Sequence, residues 1–394
     1  MEKSEQNQLG GHAGKEPGGQ LGNQADSRAG NRGQAAKAAD KTAKTAKKQH
    51  VTAILVSYNR KDLLAESLQA LRDQTVRPDR LIVVDNASID GAAAVAADQV
   101  ALWGAAGRFI SLTENTGGAG GFAVGIAAGL LPDALGRESD WLWVMDDDTV
   151  PSPTALEEAL AAHARYRATG ADSLAVMGSK VVWTDGSDHP MNTPKPKIAA
   201  PASERDRAAT AGCTEIRSIS FVSAFLRVER VREIGLPMAA YFIWNDDFEY
   251  SARLLRGAHG LYVPGSVVAH KTKVAGSSTA DPGERFYFEV RNRMWVFNHS
   301  RALKPWERLA YRAAVLRRWG RTFAGSSDRK LLFECLRDGL RGGILARPRS
   351  NSETLEGAGV PEDVLGVLWY YDMVGNGQRS TVLPYRGLSG QERL

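Results

Sequence analysis

Residues 141–153 read WLWVMDDDTVPSP. The apolar run from Trp141 to Met145 has the length and bulk of a strand buried on both faces, and it stops on Asp146, Asp147 and Asp148. Three adjacent carboxylates repel one another and resist burial unless something positive lies among them. In open α/β sheets ligands bind beyond the carboxyl ends of strands, which is where these acids fall. On an extended backbone Asp146 and Asp148 point one way and Asp147 the other. A D-x-D pair of that kind suits a hard, oxygen-seeking cation such as Mg2+ or Mn2+ held against a phosphate. The plainer alternative is an acidic turn capping a helix expected over residues 154–163. The buried strand that precedes the acids favours the site.

Upstream, VTAILV at residues 51–56 reads as another buried strand, SYNRKD as a turn, and Leu63, Leu64, Leu68 and Leu71 as the inner face of a helix. Residues 81–84 form a second strand ending on Asp85, Asn86 and Ser88, with an Ala-rich helix after it. A third strand over 108–112 leads into ENTGGAGGF and a small-residue helix over about 120–130. Strands alternating with helices predict an α/β fold around a mostly parallel sheet. Downstream, residues 176–183 read as a strand, 184–212 as a long polar loop expected to move over a ligand, and 215–228 as one long strand. YFIWNDDFEYSARLLRG predicts a helix starting near Asn245 and stopping at Gly257. Short strands over 261–263 and 267–269 end at His270. After a flexible AGSSTADPG come helices over about 284–300, 306–323 and 329–342, whose basic and aromatic content suits a membrane surface.

The chain of 394 residues, 43% hydrophobic, is long enough for one large core with appendages. Residues 1–49 are rich in Gly, Gln, Ala and Lys and are expected to be disordered. The remaining boundaries are a catalytic domain over 50–283, C-terminal helices over 284–345 and an irregular tail over 346–394. Two cysteines, Cys213 and Cys335, make neither a disulfide framework nor a metal spacing. With no apolar run of spanning length and no apolar leader, a cytoplasmic chain is expected. The net charge of +5 admits phosphate-bearing or anionic-lipid partners, and no nucleic-acid partner is expected.

Other residues admit two readings each. Gly118-x-Gly120-x-x-Ala123 has the shape of a dinucleotide fingerprint, yet it follows the third strand, and no P-loop sequence is present. Its glycines bring backbone N–H groups to a ligand or allow close helix packing, and spacing does not choose. Asp85 lies at the same sheet edge as Asp146, as a ligand acceptor or as turn chemistry. Asp246, Asp247 and Glu249 open a helix, as caps or as acids in a partly apolar pocket with Trp244, Phe248 and Tyr250, the setting that tunes a general base. His270 is structural or completes a metal site. Arg291 and Asn292 form a phosphate clamp or a solvated face.

Taken in order, VSYNR, VVDNAS, ENTGGAGGF, MDDDTVPS, WNDDFEY and VVAH resemble the family-2 glycosyltransferases of GT-A fold, closest to bacterial galactofuranosyltransferases and their rhamnosyltransferase relatives. The likeness spans residues 51–300. It implies a Rossmann-like sheet with a C-terminal helical appendage and an inverting, metal-dependent transfer of a sugar from a UDP- or dTDP-sugar to a glycan or polyprenyl-linked acceptor. Galactofuranose from UDP-galactofuranose is the first expectation and rhamnose from dTDP the second. Val56, Tyr58, Asp85, Asn115, Gly117, Gly118, Asp146 and Asp147 fall at donor-binding positions. Asp146, Asp148 and His270 fall at the ligands of Mn2+ or Mg2+, Asp247 at the catalytic base, and Trp244, Asp246 and Glu249 at the acceptor site. Val315 ahead of Arg318 and Trp319 departs from the Q-x-x-R-W of the processive synthases, so processive polymerisation is not expected. A non-catalytic nucleotide- or carbohydrate-binding module and an oxidoreductase are the competing classes.

Overall fold

A computed structural model describes residues 48–171, 173–272 and 281–375. Beyond the tail that ends at Lys47, the chain forms one compact unit. It opens with β1 (Val51–Ser57), α1 (Lys61–Arg72), β2 (Arg80–Asp85), α2 (Ala92–Ala101), β3 (Gly107–Ser111), α3 (Gly117–Leu130) and β4 (Trp141–Asp146). Then follow β5 (Thr149–Pro151), α4 (Ala155–Arg167), β6 (Leu174–Val182), β7 (Lys195–Pro196), α5 (Ala202–Thr210), β8 (Thr214–Ser218), β9 (Ala224–Arg227) and α6 (Val228–Ile234). The last elements are α7 (Asp246–Leu254), β10 (His259–His270), α8 (Phe286–Asn298), α9 (Pro305–Gly325), α10 (Arg329–Leu345), α11 (Asn351–Thr354) and α12 (Glu362–Gly375).

The sheet order is β3-β2-β1-β4-β9-β6-β10-β8-β7, with β5 paired to β10. Strands β1 to β4 pair in parallel, as their alternation with helices predicts. Every residue of β1 and β2 is buried, because helices cover both faces. Helix α3 lies unusually close to β1. A Cβ on Gly121 would come within 2.4 Å of Val56 Cγ1, and one on Gly125 within 2.5 Å of Ile54 Cγ2.

Three expectations are corrected. Residues 215–228 are two strands: β8 runs antiparallel to β10, whereas β9 inserts antiparallel between β4 and β6. Both pieces are buried, so hydrophobicity does not mark the corner between them. Strand β10 is continuous and bulges between Val263 and Val267, where Pro264 lacks a ladder donor. The segment 184–212 is not structureless, since it carries β7 and α5.

The C-terminal region also departs from an irregular tail. Val364 and Leu368 of α12 join the core that contains Phe122, and Arg108 makes two 2.8 Å hydrogen bonds to Asp363. Helices α8, α9 and α10 build a further core around Phe286, Val290, Trp295, Trp319 and Leu332. The expected tail over 1–49 lies almost wholly outside the described residues, as do most of AGSSTADPG and residues 376–394.

Candidate active site

At the carboxyl edge of the sheet, Val56 of β1 is in register with Asp146 and Ser57 with Asp85. The two acid-tipped strands thus flank β1 one residue apart in register, about 10 Å from each other across two strand spacings. Strand β4 ends at Asp146, and Asp147 and Asp148 form a turn into β5, so the backbone is not extended as the alternation argument assumed. Because β5 pairs with β10, His270 stands opposite Thr149, and Lys271 N–H donates to the Asp148 carbonyl at 2.9 Å. This pairing brings a histidine more than a hundred residues away onto the aspartate turn.

Asp146, Asp148 and His270 each offer one ligand atom, and those atoms lie within 4.8 Å of one another. His270 Nε2 is 3.1 Å from Asp148 Oδ1, and His270 Nδ1 is 3.0 Å from Asn192 Oδ1. An amide oxygen accepts only, so Nδ1 carries a proton there and Nε2 faces the acids. Burial, followed by the charge of Asp148, pushes the Asp146 carboxyl up to about 7. The bond and charge of His270 overcome burial at Asp148 and hold it below its ordinary value. Two carboxylates crowded in this way ionise together readily only around a cation. The oxygen and imidazole donors fit Mn2+ or Mg2+. Asp147 turns to the β1–α1 connection instead: its Oδ2 accepts from Tyr58 N–H at 3.0 Å and its Oδ1 from Arg60 at 3.2 Å. Arg60 also pairs with Asp148.

The donor-side residues divide by what holds them. The Val56 side chain packs under Gly121, leaving its backbone to line the crevice. The Tyr58 ring is 44% exposed at the rim. Asp85 Oδ2 accepts from Ser88 N–H at 3.1 Å, and its buried Oδ1 has no hydrogen-bond partner among the described residues. Asn86 joins the β2 end to the glycine loop: its Nδ2 donates to Asn115 Oδ1 and the Gly117 carbonyl, and its Oδ1 accepts from Thr116. Gly117 has φ +73°, and a Cβ there would strike the Phe242 carbonyl at 2.1 Å. Gly118 faces open space. Close packing therefore accounts for Gly121 and Gly125.

An arch of unusual backbone delivers the second acidic group. Phe242 has φ 63° and ψ −64°, and the Tyr241 carbonyl accepts Ile243 N–H at 2.7 Å across it, which makes a strained γ-turn. Trp244 and Asn245 follow at φ 65° and 69°. Non-glycine residues held in such regions cost ~1–3 kcal/mol each and persist where surrounding structure over-determines them. Helix α7 then begins at Asp246 and Asp247. Burial, then the neighbouring Asp247 charge, raises Asp246 far above the ordinary carboxyl range, and the charge of Asp146 adds to the rise. Burial also raises Asp247, against the opposing Phe248 N–H bond and Arg293 charge. Asn245 holds the cap position without a side-chain cap bond, and Asp246 and Asp247 fill the first turn, where Phe248 N–H donates to Asp247 Oδ1 at 2.6 Å.

Two assignments are corrected. Glu249, expected at the acceptor site, is buried and bonded to Arg253 and Ser300, because the second residue of α7 after the acid pair turns inward. Arg291, expected as a phosphate clamp, donates to the carbonyls of Ala240 and Tyr241 and stacks 4.2 Å over Trp295, so its donors are occupied within the chain. Arg60, Asn86 and Asn192 escaped sequence reading as site residues. The first two stand inside recognisable strand-end segments, VSYNR and VVDNAS, whereas nothing local marks Asn192.

The sheet is mixed rather than mostly parallel, since β5, β7, β8 and β9 pair antiparallel, and with its flanking helices and the acid-and-histidine cluster at its carboxyl edge it has the GT-A fold of glycosyltransferases. A model of the family described as Glycosyl transferase family 2 matches residues 52–227, and the chain belongs to that family and is a glycosyltransferase. Galactofuranosyltransferase GlfT1 of Mycobacterium tuberculosis (strain ATCC 25618 / H37Rv) is 31% identical over 291 residues, covering 68% of this chain and 90% of that protein. GlfT1 of Mycolicibacterium smegmatis is 31% identical over 215 residues, covering 52% of this chain and 65% of that protein. S. aureus TarS superposes with a TM-score of 0.52 at 16% identity over 84% of this chain, which spans about half of that protein (54%). TarS 1–349 in complex with UDP gives 0.51 at 13% identity, covering 84% and 92% of the two chains. At these identities the likeness is one of fold.

Proposed function

We propose that the protein is an inverting, metal-dependent galactofuranosyltransferase that uses UDP-galactofuranose and a cell-envelope glycan or polyprenyl-linked acceptor. The observation that carries the reading is the cluster of Asp146, Asp148 and His270 at the carboxyl edge of the sheet, whose ligand atoms lie within 4.8 Å of one another. The likeness to GlfT1 along 90% of that protein supports the sugar.

In this reading Asp85 Oδ1 accepts from the nucleoside, and Asn115, Gly117 and Gly118 line the donor with backbone. Asp146, Asp148 and His270 would hold Mn2+ or Mg2+, which would supply Lewis-acid neutralisation of the leaving diphosphate. Asp247 takes the proton of the acceptor hydroxyl as its oxygen bonds to the anomeric carbon, while the bond to the diphosphate breaks and its electron pair leaves with UDP. Trp244 and Asp246 shape the acceptor side.

Among the described residues no helix is long and apolar enough to cross a membrane. The outer face of α9 nevertheless carries Trp306, Leu309 and Leu316 at 49%, 72% and 65% exposure, beside Arg312, Arg317 and Arg321. A second copy docked on this stripe meets the same arginines, whereas an anionic lipid surface complements them. This supports a peripheral enzyme on the cytoplasmic face of a membrane.

A thermal-shift panel of UDP, dTDP, GDP and NADH, each with and without Mn2+, tests the reading on the wild type and Asp148→Ala. Stabilisation by UDP only with Mn2+, lost in the variant, is the expected result. The same pattern with dTDP replaces the galactofuranose reading by rhamnose transfer. Stabilisation by NADH alone, or by no nucleotide, overturns it.

A further inference from the structure

The arch at residues 241–245 is held from behind by α8. Asn292 is fully buried, and its Nδ2 lies 2.9, 2.9 and 2.8 Å from the carbonyl oxygens of Tyr241, Ile243 and Trp244. Its Oδ1 accepts from Arg291 Nε at 3.0 Å, and Arg291 Nη2 binds the carbonyls of Ala240 and Tyr241. One turn earlier on α8, Glu289 accepts from Asn245 Nδ2 at 2.9 Å. The other side of the arch meets the donor side, where the Phe242 carbonyl accepts Ala119 N–H at 3.1 Å within the first turn of α3. A strained backbone strip therefore runs from the glycine loop to Asp246 and Asp247, and one side-chain amide supplies donors to three of its carbonyls.

We infer that Asn292 is a positioning residue for glycosyl transfer: the arch it holds fixes Asp246 and Asp247 relative to the N-terminus of α3. The inference rests on the proposed transfer reaction and adds to it a mechanical link between the donor loop and the base. An amide suits this place and a carboxylate does not, because buried carbonyls need donors. The positive-φ residues relax to ordinary backbone once those donors are gone.

The test compares wild type with Asn292→Ala, Asn292→Asp and Asn292→Ser, after circular dichroism has shown each to be folded. Three readouts are taken: UDP affinity with Mn2+, UDP release from UDP-galactofuranose, and amide hydrogen exchange. Affinity is expected to hold in Asn292→Ala while kcat per folded molecule falls ~10^2-fold, the cost of displacing a reacting group by about 1 Å. Asn292→Asp falls as far, and Asn292→Ser, which keeps one donor, recovers part of the loss. In wild type, UDP with Mn2+ slows exchange across residues 240–250, and in Asn292→Ala it does not. A folded Asn292→Ala with wild-type turnover, or with wild-type protection of that segment, overturns the inference. Should wild type release no UDP, the transfer reading fails and the exchange comparison still decides the link. If Asn292→Ala does not fold, Arg291→Met, which removes the outer arch bonds, takes its place under the same criteria.

Discussion

Asn192 Oδ1 lies 3.0 Å from His270 Nδ1, and that contact determines which ring nitrogen faces the aspartate turn. Asn192 is itself held by Ser220, to which its Nδ2 donates at 3.1 Å. Removing such a partner from a ligating histidine typically costs ~10–100-fold in metal affinity. Asn192→Ala should weaken Mn2+ binding by that factor in titration calorimetry while leaving the melting temperature without metal nearly unchanged. Equal affinity in the two proteins removes Asn192 from this role.

Asp247→Asn should lose ~10^2 to 10^4 in kcat, the usual worth of general-base assistance, and still bind UDP with Mn2+. Steady-state kinetics with UDP release as the signal measures the first and a thermal shift the second. Near-normal turnover moves the base elsewhere.

In the proposed reaction the same carboxylate sets the pH dependence. Burial raises Asp247, and the base works only when ionised, so activity should fall as pH drops through a value above the ordinary aspartate range of about 3.9. Arg293 opposes that rise through its positive charge. Arg293→Met should therefore move the acid limb of the kcat profile to higher pH. A limb that stays put, or moves down, contradicts the pairing.

Helix α9 is anchored to the catalytic domain by a buried ion pair, with Arg217 Nε 2.7 Å from Glu307 Oε1 and further Arg217 bonds to the Ala252 and Ala302 carbonyls. Burial alone would raise Glu307, but the hydrogen bond and charge of Arg217 hold it below its ordinary value. A carboxyl lowered on folding contributes stability that is complete above its unfolded value, about 4.3, and is lost as pH falls through the folded one. Glu307→Gln leaves the buried guanidinium without its counter-charge and should cost ~3–5 kcal/mol in denaturant unfolding at pH 7. At a pH below the folded value the difference between the two proteins should shrink.

Leu309→Glu with Leu316→Glu on the outer face of α9 should abolish co-sedimentation with vesicles rich in phosphatidylglycerol, and neutral phosphatidylcholine vesicles should bind the wild type weakly. Both leucines are exposed, so folding and UDP binding should survive. Dimerisation of the wild type that the substitutions break, seen by light scattering, assigns the stripe to a second copy instead.

Taken alone, the sequence determined the α/β class, the parallel strands β1 to β4 and the acids at their ends. A buried strand is a local apolar run, and a ligand site at its carboxyl end follows from that placement. The ordered set from VSYNR to VVAH also carried the resemblance to family-2 glycosyltransferases, which groups Asp148 with His270, two residues that the fold brings to 3.1 Å. Tertiary structure alone decided the antiparallel insertion of β9, the inward turn of Glu249 and the withdrawal of Arg291 from the crevice. It also revealed Asn192 and Asn292 as supports. These outcomes depend on partners that are dozens of residues away along the chain, and a buried amide that braces a distant backbone has the same composition as one in a loop. Periodicity and spacing report a residue's own segment; which carbonyl or imidazole its polar end meets is set by how the segments pack.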